Sequence, residues 1–122
     1  MAAVLEKTVA PEAGVGTEKL FENDKVIVWN FELAPGAETP MHTHERSYRW
    51  YAIAGAPLQI YDENGNDCGV FDVPTGGVFS LKVENGEIEV MSEIGKGVKV
   101  PATHKARNIG PTAYREVLVE YK

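Results

Sequence analysis

The chain has 122 residues, about one domain's worth, and its 43% apolar and 25% charged residues exclude disorder along its whole length. A formal charge of -6 and an isoelectric point near 5.0, with no Lys/Arg run, exclude a basic surface for nucleic acid or anionic lipid. The single cysteine, Cys68, forbids an intrachain disulfide and fits a reducing compartment.

Residues 1–19, with Pro11, Gly14 and Gly16, read as a lead-in holding at most one edge strand, and residues 20–122 read as the domain proper. The N-terminal run lacks the basic start and apolar core of a secretory signal. No stretch approaches the ~20 apolar residues that span a bilayer. A cytoplasmic protein with neither a membrane nor a nucleic-acid partner is therefore expected.

The elements that follow are short strands. Lys25–Leu33 sets Ile27, Trp29, Phe31 and Leu33 on one face at period two, opposite Asn30 and Glu32. Ala34-Pro35-Gly36 turns the chain into strands through Met41–His44 and Tyr48–Ala54, and Gly55-Ala56-Pro57 breaks it again. Leu58–Asp62 and Gly69–Val73 flank one Asn-Gly hairpin at Asn64-Gly65, while Val78–Val83 and Glu87–Met91 flank another at Asn85-Gly86. Cys68 falls in the first of these loops. Val98–Pro101 and Thr112–Glu120 complete the set, the last with Val117 and Val119 on one face and Leu118 on the other. No capped helical pattern of ten or more residues appears. Many short strands with Gly, Pro and Asn turns predict an all-β sandwich or barrel.

Chemistry concentrates in the three histidines, His42, His44 and His104. Residues two apart on a strand share a face, so His42 and His44 can aim two imidazoles at one point, and a third from a distant strand can complete a facial set. Neutral imidazole suits divalent iron, nickel, copper and zinc, and manganese less well.

Gly36, five residues, His42-x-His44 and then Gly55 resemble the first motif of the cupin superfamily; Gly95, five residues, Pro101, His104, three residues and Asn108 resemble its second. The resemblance covers about Leu20 to Lys122. It implies a double-stranded β-helix, or jelly-roll barrel, with a metal held by His42, His44 and His104 inside one end. The family's usual carboxylate ligand would fall at Tyr48 or Arg49, and spacing back from Gly55 favours Tyr48. The ligand set therefore reads as three histidines, with an open coordination position. The second motif is one residue short, with Ala102-Thr103 where a glycine-containing turn is usual.

Tyr48 on that slot would face inward with Trp50 and Ala52, either as a catalytic group that hydrogen-bonds substrate or moves a proton, or as a core aromatic. Arg49 would then point outward, and Glu45 would lie on the face opposite His44 as surface charge. Arg46 and Arg49 are candidates for a substrate carboxylate, with solvated surface as the plainer reading. Asn108 reads as structural, and Met41 and Phe79 as core.

Three-histidine cupins include iron enzymes that cleave carbon–carbon bonds in small diketones with dioxygen. The resemblance thus implies a non-haem metal dioxygenase for a small dicarbonyl or enol-type substrate, with Fe2+ favoured over Mn2+, Ni2+ or Zn2+. The alternatives are a non-redox isomerase, epimerase or lyase, and a non-catalytic ligand-binding module. Cupins of this size commonly pair at a sheet edge, which implies a homodimer.

Overall fold

A computed structural model of the chain describes residues 16–122, and strands dominate them, with no helix among them. In chain order these are β1 (Glu18–Glu22), β2 (Val26–Leu33), β3 (His42–Thr43), β4 (Tyr48–Ala54), β5 (Ala56–Asp62) and β6 (Asp67–Val73). Then follow β7 (Val78–Glu84), β8 (Glu87–Val90), β9 (Lys99–Pro101), β10 (Thr103–Asn108) and β11 (Tyr114–Tyr121). A seven-stranded sheet runs β9-β8-β7-β4-β11-β2-β1, and a four-stranded sheet runs β3-β10-β5-β6, with every pairing antiparallel. The expected edge strand is β1, which starts at Glu18 and crosses the expected boundary at residue 20; residues 1–15 of the lead-in lie outside the described residues.

Period-two patterning produces the interior. Ile27, Trp29, Phe31 and Leu33 of β2 are all buried, as are Tyr48, Trp50 and Ala52 of β4 and Ala56, Leu58 and Ile60 of β5. Trp50 is the hub. Its ring stacks on Phe79 at 4.1 Å and meets Phe71 and Tyr114 edge-on at 6.2 and 6.5 Å. Phe79 is fully buried, whereas Met41, expected in the core, is only half-buried beside the sheet edge.

Turn chemistry decides the registers. Asn85 and Gly86 both take positive φ, 54° and 77°, between the paired Glu84 and Glu87, the backbone of a two-residue type I′ turn. The other Asn-Gly hairpin is wider, because Asp62 captures the backbone N–H groups of Asn64 and Asn66, each at 2.9 Å, and holds residues 63–66 as a four-residue loop. Strand β6 therefore begins at Asp67, and Cys68 stands exposed on a strand instead of in the loop.

The expected break at Gly55-Ala56-Pro57 shrinks to Gly55 alone, since Ala56 and Pro57 already pair with Val73 and Asp72. Pro57 is tolerated there as the second residue of its strand. A Cβ on Gly55 would sit 2.1 Å from the Val73 carbonyl oxygen and 2.5 Å from the Thr75 nitrogen, backbone that cannot swing aside. This corner is where the chain passes from the large sheet to the small one. Gly55→Ala is expected to destabilise the fold by ~3 kcal/mol or more, read as a lowered urea midpoint at unchanged slope.

Candidate metal centre

The segment that carries the first two histidines is laid along β10 before it becomes a strand. Gly36 N–H donates to the Asn108 carbonyl at 2.8 Å, Thr39 N–H to Ala106 at 2.9 Å and His44 N–H to Ala102 at 2.9 Å. Thr39 Oγ1 accepts the Ala106 N–H in return, at 3.0 Å. This ladder brings His42 directly opposite His104. The expected strand Met41–His44 contracts to His42–Thr43, yet the chain stays extended through His44, so His42 and His44 are buried while Thr43 between them is exposed.

Asn108 is the anchor at the far end of the ladder. Its Nδ2 donates to the carbonyls of Leu33 and Thr112 at 3.0 and 2.8 Å, and its Oδ1 accepts the Gly110 N–H at 2.9 Å. The side chain is fully buried and fully used, which is a structural role.

The three imidazoles meet inside the barrel. One ring nitrogen of each lies within 4.8 Å of those of the other two, and the ring centroids are 4.7 to 5.1 Å apart. His42 Nδ1 is 3.0 Å from the Pro40 carbonyl and His104 Nδ1 is 2.8 Å from that of Pro101. A carbonyl only accepts, so each Nδ1 carries its hydrogen and each Nε2 keeps a free lone pair. The Pro101–His104 contact also shows that the shortened second motif still delivers His104 to the cluster.

Burial lowers the pKa of all three rings, His104 to about 4, and for His44 and His104 the neighbouring imidazoles depress it further. They are therefore neutral bases at neutral pH, as metal ligation requires. His44 Nδ1 is buried with no hydrogen-bond partner among the described residues, a cost on the order of 1–3 kcal/mol. Two pre-set tautomers, neutral rings and mutual spacing within 4.8 Å together fit one divalent cation.

A cavity of about 70 Å³ opens off the histidines, large enough for a few waters or a small ligand fragment. Its walls are apolar: Phe31, Trp50, Leu58, Ile60 and Leu81 line it, with Val98, exposed at one side. Tyr48 lies among the lining residues, its ring stacked on His44 at 4.3 Å. Burial first, then the nearby Glu116 and Glu120, push the Tyr48 hydroxyl well above its ordinary pKa. It keeps its proton and offers a hydrogen bond, so as an acid it is weakened in the metal-free chain. Trp50 is both core aromatic and cavity wall. Glu45, Arg46 and Arg49 are exposed, and Arg49 lies over the Tyr121 ring at 5.9 Å instead of facing the cavity.

The sequence reading overlooked two carboxyl groups. On β11 the inward set is Tyr114, Glu116, Leu118 and Glu120, and both glutamates are buried. Glu120 accepts the Trp29 indole N–H at 2.8 Å. Glu116 lines the cavity, and its Oε1 accepts the Tyr114 hydroxyl. Burial drives the Glu116 carboxyl up to about 8, with the Tyr114 hydrogen bond pulling the other way. Both faces of β11 mix apolar and charged residues, so alternation alone did not reveal the inner one. The signal was Tyr114 and Leu118 standing at the same parity as the two acids.

These shifts oppose one another in the metal-free chain. The histidines bind fewer protons folded than unfolded, so they add stability above pH 6.5 that is lost as pH falls from 6.5 toward 4. Glu116 binds more protons folded than unfolded between pH 4.5 and about 8, so its contribution erodes as pH rises through that window. Glu116→Gln is expected to match wild type near pH 4 and to exceed it by on the order of 2–4 kcal/mol at pH 8, measured by urea unfolding of the chelator-treated protein.

No family model matches the chain, and no curated protein matches it. Solved structures do. A cupin domain from Bordetella pertussis Tohama I aligns with a TM-score of 0.61 at 20% identity, over 94% of this chain and 99% of its own. An RmlC-like cupin family protein with a double-stranded β-helix fold from Methanocaldococcus jannaschii aligns with a TM-score of 0.54 at 16% identity, over 98% and 93%. A conserved protein with a double-stranded β-helix domain from Klebsiella pneumoniae gives 0.53 at 20% identity, over 93% and 77%. With its two antiparallel sheets closed around a buried cluster of three histidines, the chain is a cupin by fold.

Proposed function

We propose that the chain is a metal-dependent enzyme that holds one divalent ion, Fe2+ by preference, on His42, His44 and His104 and acts as a dioxygenase on a small dicarbonyl or enol-type substrate. The observation that carries this reading is the trio of neutral, buried imidazoles within 4.8 Å of one another beside an apolar cavity. A ferrous ion bound there supplies Lewis-acid polarisation of a substrate oxygen and access to dioxygen chemistry. The protein's own contribution is more specific. Phe31, Leu58, Ile60 and Leu81 exclude water from the substrate, which strengthens every polar interaction inside. The Pro40 and Pro101 carbonyls fix ring orientation, and Tyr48 offers a proton-bearing hydroxyl beside His44. Among the described residues the lining includes no arginine or lysine, which favours a substrate whose charge arises only on enolisation over a permanently anionic one.

A second reading is a non-redox isomerase, epimerase or lyase on the same ion, and the buried Glu116 favours it by adding a carboxyl to the acid–base inventory of the cavity. Metal content by elemental analysis, joined to oxygen uptake on a panel of 1,3-dicarbonyls, separates the two. Iron with oxygen consumption is expected; zinc or nickel with none moves the assignment to the second reading. A chain that gains no thermal stability from any divalent ion overturns both.

His42→Ala, His44→Ala and His104→Ala are each expected to abolish the thermal upshift produced by added Fe2+ under anaerobic conditions. At ion concentrations near 100 times Kd that upshift corresponds to ~2.7 kcal/mol for wild type. Glu45→Gln, on the exposed side of the same segment, is expected to retain it in full.

A further inference from the structure

We propose that Glu116 is the group that takes a proton from, and returns it to, a small carbon acid or enol seated against the three histidines. This deepens the proposed function and rests on its reading of the cavity as a dicarbonyl site. The geometry assigns Glu116 this place and gives it to no other acid. Among the described residues it is the one carboxyl group that lines the cavity, and it does so from the middle of β11, flanked by Phe31 on β2 and Ala52 on β4. Its partner on β4, Ala52, adds only a methyl group. Glu116 does not belong to the group whose donor atoms lie within 4.8 Å of one another, so it stands outside the ligand set. Tyr114 holds Oε1, and no described residue hydrogen-bonds Oε2.

Glu120 serves as an internal contrast. It is the same residue type, four positions on, buried to the same 5% exposure, but it is tied to the Trp29 indole and does not line the cavity. Both acids have Oε1 tied, to the Trp29 indole and to the Tyr114 hydroxyl, and neither has a described partner on Oε2. What separates them is place: Glu116 lines the cavity where the proposed substrate would sit, and Glu120 does not.

The step balances without any further reactant. A C–H bond between two carbonyl groups breaks, its electron pair enters the enolate, and the proton forms an O–H bond on Glu116 Oε2. Reversal returns that proton to the same carbon or delivers it to another. Burial favours the neutral carboxyl in the metal-free chain, and the charge of a divalent ion on the histidines favours the ionised, accepting form. The other titratable groups facing it are Tyr48 on β4, Tyr114 and Glu120 on its own strand, and the three histidines across the cavity.

The test uses the chain loaded with Fe2+ under anaerobic conditions, with pentane-2,4-dione as the probe. NMR in D2O follows exchange of the central C–H protons above buffer background, and calorimetry in two buffers counts protons released on binding. Glu116→Gln keeps an acceptor for the Tyr114 hydroxyl but cannot take the proton. Its exchange is expected to fall at least ~100-fold, and it should release one more proton per ligand bound than wild type, with metal content unchanged. Tyr114→Phe keeps the carboxyl but removes its hydrogen-bond donor, and is expected to move the pH midpoint of exchange upward. Glu116→Gln exchanging at the wild-type rate, or losing the metal, overturns the proposal. A loaded wild type no faster than Glu116→Gln overturns it alone, whereas a wild type that takes up no metal overturns the proposed function as well.

Discussion

Three imidazoles share one small volume of an apolar interior, and much of the molecule is arranged to make that tolerable. Each ring is buried, so a proton on any of them would be poorly solvated and would repel the others. The fold answers by fixing them neutral. Two Nδ1 hydrogens are given to the carbonyls of Pro40 and Pro101, and the ring of His44 is laid flat against Tyr48. Only the His44 Nδ1 is left without a partner among the described residues.

The positioning of those rings is a backbone problem before it is a side-chain one. Residues 36–44 contain little regular strand, yet they are registered against β10 by alternating hydrogen bonds from Gly36 to His44. Asn108 closes the far end with three hydrogen bonds of its own. The small sheet and the segment leading from it thus present the histidine side, while the large sheet supplies the aromatic floor around Trp50 and the acids of β11. This division places neutral bases on one wall and proton-bearing groups on the other, an arrangement that costs stability in the empty chain.

How much of this could be read from the residues differs between the two walls. The histidine wall was legible because its signal is local: His42-x-His44 needs only extended backbone to put two rings on one side, and His104 stands in a recognisable spacing after Pro101. The all-β class was legible for a similar reason, since period-two runs and Asn-Gly turns are short-range properties. The acid wall was not. On β11, charged residues occur on both faces, and which parity points inward is set by pairing with β2 and β4, through contacts 61 to 95 residues away in sequence such as Glu120–Trp29. The Asp62 loop is a smaller case, where a side chain's hydrogen bonds overrode the two-residue turn that Asn64-Gly65 favours by itself.

The sequence alone determined the all-β class, most strands but not Thr103–Asn108, the hairpin sites, the outward direction of Glu45 and Arg49 and the three residues able to ligate a metal, because each depends on backbone preference or on neighbours two positions apart. Only the tertiary structure decided that the histidines meet within 4.8 Å, that Tyr48 lies flat on His44, and that Glu116 faces the same cavity. Those facts depend on strand register across two sheets and on the burial it creates, and burial is what turns ordinary imidazoles and an ordinary carboxyl into groups with shifted proton affinities.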